Sequence, residues 1–242
     1  MVKKLELLYE GKAKKVYVTD KENVLWIEYK DSATAFNGEK KATIAGKGRL
    51  NNEITSLLFS KLHSAGIDNH FIEKLSETEQ LVKTVTIIPL EVVVRNYVAG
   101  SLAKRLGLTE GTRLEKPLIE FYYKNDCLGD PLLLEDHIAI LKLATSEQIS
   151  VLKKSALKVN EILTRHFQEC HVRLIDFKLE FGFDSEGKIL LADEISPDTC
   201  RLWDMNTNEK LDKDVFRRDL GSLTDAYEII LQRLGGKSEC TK

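Results

Sequence analysis

The sequence has little cysteine, no long apolar run and almost no net charge, and each shortage removes a class of function. Its four cysteines, Cys127, Cys170, Cys200 and Cys240, are far apart and form no C-x-x-C pair. Neither a zinc site nor a disulfide framework is expected, and reduced thiols in the cytoplasm are the simplest reading. No stretch approaches the roughly 20 apolar residues that a membrane-spanning helix needs. The opening Met1-Val2-Lys3-Lys4-Leu5-Glu6 puts an acid where a secretion signal needs an apolar core. Lys and Arg number 36 against 38 Asp and Glu, a formal charge of −2. Nothing therefore draws the whole chain to nucleic acid or to an anionic membrane, and a phosphate site must be a local concentration of cations. The five histidines, His63, His70, His137, His166 and His171, lack metal or triad spacing.

What is present suits a globular fold. The 242 residues are 43% hydrophobic and 31% charged, enough for one large domain or two lobes with a buried core. Nothing repeats and no low-complexity linker divides the chain. Short strands are predicted at 5–10, 15–18 and 24–29, with a polar turn at 19–23. Residues 31–48, with three glycines, read as a long functional loop. A helix over 50–65 stops at Gly66, a candidate C′ glycine. Further strands at 80–87 and 91–97 are separated by Pro89. Thr145-Ser146-Glu147-Gln148 matches a capping box. Beyond it Ile149, Leu152, Ala156, Val159, Ile162, Leu163 and Phe167 recur at helical spacing to about Cys170. A strand pair, 172–183 and 188–195, turns through Asp184–Gly187, and helices near 214–220 and 223–234 follow. The expected class is α+β in two lobes. An antiparallel β-rich N-terminal lobe spans 1–88, an α+β C-terminal lobe 89–234, and the tail 235–242 is frayed.

Three segments carry chemistry. In the first, Asp176, Lys178 and Glu180 alternate with apolar residues and so share one face of a strand. If the following turn is a four-residue loop, Phe183 pairs with Lys188 and Asp193 falls opposite Lys178, diagonal to Glu180. Two carboxylates beside a lysine suit a magnesium–phosphate site; a solvated charged edge would look the same. Just past the strand end, Arg201 could fork onto a phosphate or carboxylate, and its cation could lower the pKa of the Cys200 thiol, otherwise a spectator. In the second segment, Gly11 with Lys12, Ala13 and Lys14 makes a turn able to approach a phosphate, or a solvated hairpin. It fits neither the P-loop nor the Rossmann pattern. The third, Arg95-Asn96 followed by Ser101 at a helix start, sets a guanidinium and a hydroxyl where anions bind, or simply a cap and a salt bridge.

Taken in order, Tyr9-Glu10-Gly11-Lys12-Ala13-Lys14, Ser32-Ala33-Thr34-Ala35-Phe36-Asn37-Gly38, Val93-Val94-Arg95-Asn96 with Ala99-Gly100-Ser101, Asp176-Phe177-Lys178-Leu179-Glu180-Phe181-Gly182 and Asp193-Glu194-Ile195-Ser196-Pro197-Asp198 with Arg201-Leu202-Trp203-Asp204 resemble the SAICAR synthetase family over about 7–234. That resemblance implies a stand-alone ligase of purine biosynthesis joining carboxyaminoimidazole ribonucleotide (CAIR) to L-aspartate with ATP and magnesium. It further implies a kinase- and ATP-grasp-like nucleotide lobe, ATP in the cleft and a homodimer in the cytoplasm. Carried over, Gly11, Lys12, Ala13 and Lys14 meet the ATP phosphates, Lys83 lies near the adenine, and Glu180 and Asp193 hold Mg²⁺, with Glu180 also counted in the ATP site. Arg95, Ser101 and Arg201 bind the ribonucleotide phosphate, and Asp176, Lys178 and Asp198 line the reacting region. The segment from Ser32 to Lys41 covers the substrate or binds aspartate through Asn37 and Lys41; Asn37 stands where some members carry an acid.

Two other readings fit parts of the pattern. A small-molecule kinase would use the same glycine turn, lysines and acids, although Asp-Phe-Lys-Leu-Glu is not D-F-G and no H-R-D loop is present. A non-catalytic nucleotide-binding module would not require so many paired charges on one strand face.

Overall fold

The chain begins with strands that zip through tight polar turns. β1 (Lys4–Glu10), β2 (Lys14–Thr19) and β3 (Val24–Tyr29) form an antiparallel meander. Asn23 takes a left-handed φ of 58° in the second turn, a conformation asparagine tolerates. The computed structural model describes residues 2–35 and 38–236. Asn37, and residues 237–242 of the tail expected to fray from 235, lie outside the described residues.

Residues 31–48 were expected to be loop, but the chain folds back on itself there. β4 (Ser32–Ala35) pairs with β5 (Lys40–Thr43), and α1 (Lys47–Ser64) starts before residue 50. Asp31 explains the early start: its carboxylate accepts from the N–H groups of Gly46 at 3.2 Å and Gly48 at 2.8 Å. It thus satisfies amides that a helix start leaves open. At the other end Gly66, φ 80°, donates to His63 O and Ile67 donates to Leu62 O, the Schellman closure that the glycine foretold.

β6 (Phe71–Lys74) and β7 (Glu79–Lys83) complete a five-stranded sheet in the order β1-β2-β3-β7-β6. The next strand, β8 (Thr86–Tyr97), passes straight through Pro89 rather than breaking there. Between the pairs Glu180–Glu91 and Gly182–Ile87 its partner has one residue where β8 has three. Pro89 sits in that bulge, where its missing N–H costs no ladder bond.

The second sheet follows. Besides β8 it contains β9 (Arg113–Tyr123), β10 (Leu132–Leu133), β11 (Val172–Phe183), β12 (Ile189–Ala192) and β13 (Cys200–Asp204). The order is β10-β9-β8-β11-β12, and β13 shares the outer edge of β11 with β12. Residues 193–198 leave the sheet between those two strands, and Thr199 rejoins it by accepting from Lys178 N–H at 2.9 Å. Shorter helices α2 (Gly100–Leu106) and α3 (Glu135–Ile140) lie between strands.

α4 (Ser146–Glu169) has its capping box, with Gln148 N–H on Thr145 Oγ1 at 3.2 Å and Thr145 N–H on Gln148 Oε1 at 2.8 Å. Its apolar stripe packs on the sheet side lined by Val92, Val94, Phe177, Leu179 and Phe181, within one core that also takes in α1 and α6 (Leu223–Arg233). Truncating a wholly buried member such as Phe167 to alanine costs about 3–5 kcal/mol. α5 (Asp214–Arg217) precedes α6. With the apolar side buried, the opposite side of the sheet is left for polar residues.

Candidate active site

Strand register lays out the site. Across β11 and β8, Asp176 faces Arg95, Lys178 faces Val93 and Glu180 faces Glu91; across β8 and β9, Val93 faces Glu120 and Glu91 faces Tyr122. Opposed residues share a face, so these side chains form one surface, polar except for Val93. It is not a solvated edge: Asp176 and Glu180 are each 3% exposed.

Asp193 reaches this surface by an unexpected route. The turn after β11 pairs Phe183 with Ile189, one residue out of the expected register. A regular strand would then send Asp193 to the other side. Instead β12 ends at Ala192 and Asp193 adopts a left-handed φ of 59°. His70, buried edge-on against Phe59, holds the carbonyl of Asp193 at 3.1 Å. The Asp193 carboxylate lands 2.5 Å from Lys14 Nζ and 3.4 Å from Lys178 Nζ. Lys178 also meets Glu180, and Glu91 at 3.1 Å. Lys124 binds Glu180 at 2.8 Å, and Lys14 binds Glu194 at 3.0 Å. Burial works against the charges of Lys14 and Lys178, but the surrounding carboxylates outweigh it and raise both pKa values well above the ordinary lysine range. Burial likewise opposes Asp193, and Lys14 and Lys178 more than offset it, so its carboxyl stays far below the usual range. Burial pushes His70 down to about 4, so it is a neutral ring at neutral pH.

Glu180 and Asp193 flank the same ammonium group and are hard oxygen donors. Among the described residues no group of three or more His, Cys, Asp or Glu converges as a metal cage. Two carboxylates are what Mg²⁺ takes when phosphate oxygens and water complete its shell, so the residues fit a magnesium–phosphate pair and not a metal held by protein alone.

A second cluster adjoins the first. Asp176 binds Arg95 Nη1 at 2.6 Å and, through both oxygens, Arg201 Nη1 at 3.0 Å. Arg95 Nε holds Glu120 at 2.7 Å, and its Nη2 donates to Ser101 Oγ at 3.0 Å and Tyr122 Oη at 3.2 Å. Arg201 Nε holds Asp214 at 3.1 Å. Burial opposes the Arg201 charge, but Asp176 and Asp214 raise its pKa further still. The neighbouring Cys200 thiol is pushed up by burial rather than lowered by that arginine, and is a core residue.

Asp198 anchors the loop between the clusters. Lys47, wholly buried in the first turn of α1, binds it at 2.7 Å, Lys213 at 3.2 Å and Tyr227 Oη at 2.5 Å. Burial opposes its charge, and Lys47 and Lys213 hold its carboxyl well below the ordinary range.

The structure thus brings together Lys14, Asp176, Lys178, Glu180, Asp193 and Arg201, with Arg95 hydrogen-bonded to Asp176 and Ser101 to Arg95, while Asp198 is held separately by Lys47, Lys213 and Tyr227. The β1–β2 turn is closed by Gly11 N–H on Lys14 O at 2.8 Å. Lys12 reaches across to Asp126 at 2.8 Å in an exposed pair. Lys83 and Lys41 are exposed on β7 and β5, and neither forms an ion pair among the described residues. Sequence reasoning missed Lys47, His70, Glu91, Glu120, Lys124, Glu194, Lys213, Asp214 and Tyr227. Glu91 was within reach, since Glu91, Val93 and Arg95 alternate on one strand, and so was Glu194, next in sequence to Asp193; the others arrive from distant segments and leave no local signal.

Two clusters of buried cations paired with carboxylates, one built on lysines and one on arginines, lie on one sheet face, an arrangement able to take anionic ligands. The comparisons narrow the class. The SAICAR synthetase family model matches residues 7–234. The phosphoribosylaminoimidazole-succinocarboxamide synthase of Anoxybacillus flavithermus is 71% identical over 241 residues, covering all of both chains. Among solved structures, the corresponding synthase of Ehrlichia chaffeensis superposes with a TM-score of 0.94 at 46% identity, over 97% of this chain and all of the other. A type-2 SAICAR synthetase in complex with ADP gives 0.93 at 49% identity and the same coverage. The chain belongs to the SAICAR synthetase family. It is accordingly a ligase, and neither the kinase nor the non-catalytic reading stands.

Proposed function

We propose that this ligase condenses CAIR with L-aspartate, turning ATP into ADP and phosphate, by attack of the CAIR carboxylate on the terminal phosphorus of ATP. The observation that carries this reading is the contiguity of the two clusters on one sheet face. Phosphate binding at Arg201 puts the rest of a ribonucleotide next to Lys178, Glu180 and Asp193. The solved relative described as a complex with ADP supports an adenine nucleotide as the second ligand.

In this reading Lys12, Lys14 and the Gly11–Ala13 turn receive the ATP phosphates, and Lys83 lies toward the adenine. Glu180 and Asp193 hold Mg²⁺, which supplies charge neutralisation for the phosphoryl oxygens. Lys14 and Lys178 are neutralised by carboxylates in the free protein and pass to the phosphate and carboxylate oxygens in the complex. A carboxylate is a poor electrophile; phosphorylation gives it a leaving group, and the aspartate amine then displaces phosphate. Positioning and charge neutralisation supply the rate, and water must be kept out. The segment from Ser32 to Lys41 covers the substrate or takes the aspartate, with Asn37 and Lys41 counted among the substrate-binding residues. Arg95 and Ser101 complete the ribonucleotide phosphate site, and Asp176 and Asp198 fix the strand and loop around the reacting groups. The same reading includes two lobes dividing near residue 88, a homodimer and a cytoplasmic setting. No helix among the described residues is long and apolar enough to cross a membrane.

The test is an isotope experiment. CAIR labelled with ¹⁸O in its carboxylate, incubated with Mg-ATP and aspartate, is expected to deliver one labelled oxygen to inorganic phosphate for each product formed. Product formation with unlabelled phosphate would refute carboxylate attack, and absence of product would refute the assignment of substrates.

A further inference from the structure

Gly100 opens α2 with a φ of 53°. A β-carbon built there would lie 2.5 Å from Arg201 Nη2, 2.7 Å from its Cζ and 3.0 Å from Nη1, against roughly 3.5–4.0 Å for a comfortable contact between heavy atoms. The obstacle is not backbone but the far end of a side chain, which can swing aside. A methyl group at position 100 would therefore move the guanidinium rather than prevent folding.

Where that guanidinium lies matters for charge. Nη1 is committed to both oxygens of Asp176 at 3.0 Å and Nε to Asp214 at 3.1 Å. Nη2 has no protein acceptor among the described residues. Beside Gly100, the Ser101 oxygen already accepts from Arg95 Nη2 at 3.0 Å, so its own O–H remains to donate. Arg201 Nη2 and the Ser101 hydroxyl are thus the two donors left over after the cluster has satisfied itself. Both lie at the one residue whose missing side chain makes the room.

We propose that Gly100 is a positioning residue for the phosphate of the ribonucleotide: its bare α-carbon lets the Arg201 fork lie across the entry to α2 with Nη2 turned to the anion. The inference rests on the proposed ribonucleotide site and specifies how that site is held in shape. A fork kept in place by two carboxylates and a glycine floor loses little conformational freedom when the phosphate arrives.

The experiment is a double-mutant cycle in steady-state kinetics on the full chain, varying CAIR at saturating Mg-ATP and aspartate. Arg201→Ala is expected to raise KM for CAIR on the order of ten- to a hundredfold, the value of a charge-assisted contact. Gly100→Ala is expected to raise it about tenfold, with kcat within about twofold and KM for ATP unchanged. In the Arg201→Ala background Gly100→Ala adds nothing, because the group it displaces is gone. Gly100→Asn separates clash from backbone strain, since asparagine accepts the left-handed conformation yet carries the same β-carbon; it is expected to match Gly100→Ala. An unchanged KM in both Gly100 variants overturns the inference, and so do effects that multiply in the double mutant. If Arg201→Ala leaves KM for CAIR unaltered, the ribonucleotide site itself is misassigned, a failure distinct from that of Gly100 alone.

Discussion

Arg95 and Arg201 each spread a planar fork over two carboxylates, Nη1 on Asp176 and Nε on Glu120 or Asp214, whereas two residues further along β11 Lys178 meets Glu91, Glu180 and Asp193 as a single point charge. The arginine side holds its geometry: each guanidinium is tied through several nitrogens to carboxylates that are themselves buried. On the lysine side Lys14, Lys124 and Lys178 face Glu91, Glu180, Asp193 and Glu194. Ammonium groups carry three rotatable donors and no fixed fork, so they can exchange carboxylate oxygens for phosphate oxygens without rebuilding the strand beneath. The contrast teaches a division of labour. An invariant phosphate handle suits arginine, and a place where charge moves during reaction suits lysine.

The largest effects are expected on the lysine side. Glu180→Ala and Asp193→Ala should each lower turnover by roughly a thousandfold or more while circular dichroism stays native; near-normal turnover in either would remove that residue from the metal role. On the arginine side, Arg201→Lys keeps the charge but loses the fork, and should raise KM for CAIR about tenfold with little change in kcat. If lysine serves equally well there, the contrast between the clusters collapses.

A smaller effect concerns the brace behind Arg201. Asp212 is wholly buried, its two oxygens taking the N–H groups of Leu202 at 2.8 Å and Asp214 at 2.7 Å. Burial first, and then the charge of Asp214, push its pKa up from 3.8 to about 7. Between those values the folded state holds a proton that the unfolded state has released. Stability from this group is therefore full near pH 4 and falls as pH rises toward about 7. Urea unfolding across that range should show the slope, and Asp212→Asn should flatten it whatever the mutant's absolute stability. An unchanged slope would mean that Asp212 is ionised throughout. The smallest effect belongs to the exposed Lys12–Asp126 pair. Asp126→Ala should change unfolding free energy by no more than a few tenths of a kcal/mol, and a larger loss would show the β1–β2 turn to be pinned by Asp126.

Much of the fold was legible because its signals are local. The α4 capping box and stripe, the Gly66 stop, and the alternation of Asp176, Lys178 and Glu180 each depend on residues a few positions apart. What failed depended on distance. Asp31 starts α1 early by accepting from amides fifteen and seventeen residues away, and Pro89 stays within a strand because a bulge opposite β11 relieves it. Asp193 reached the right cluster from a register one residue off, because its own left-handed backbone reversed the consequence of the slip. The partners that decide the site, Lys47 on Asp198 and His70 on Asp193, come together only once the two sheets and the helices have packed.

The most direct measurement is ADP release from the purified chain with Mg-ATP, leaving out CAIR and L-aspartate in turn. The account predicts stoichiometric release only when both are present, each ADP matched by one condensed product. Release that needs neither compound, or none under any combination, would contradict it.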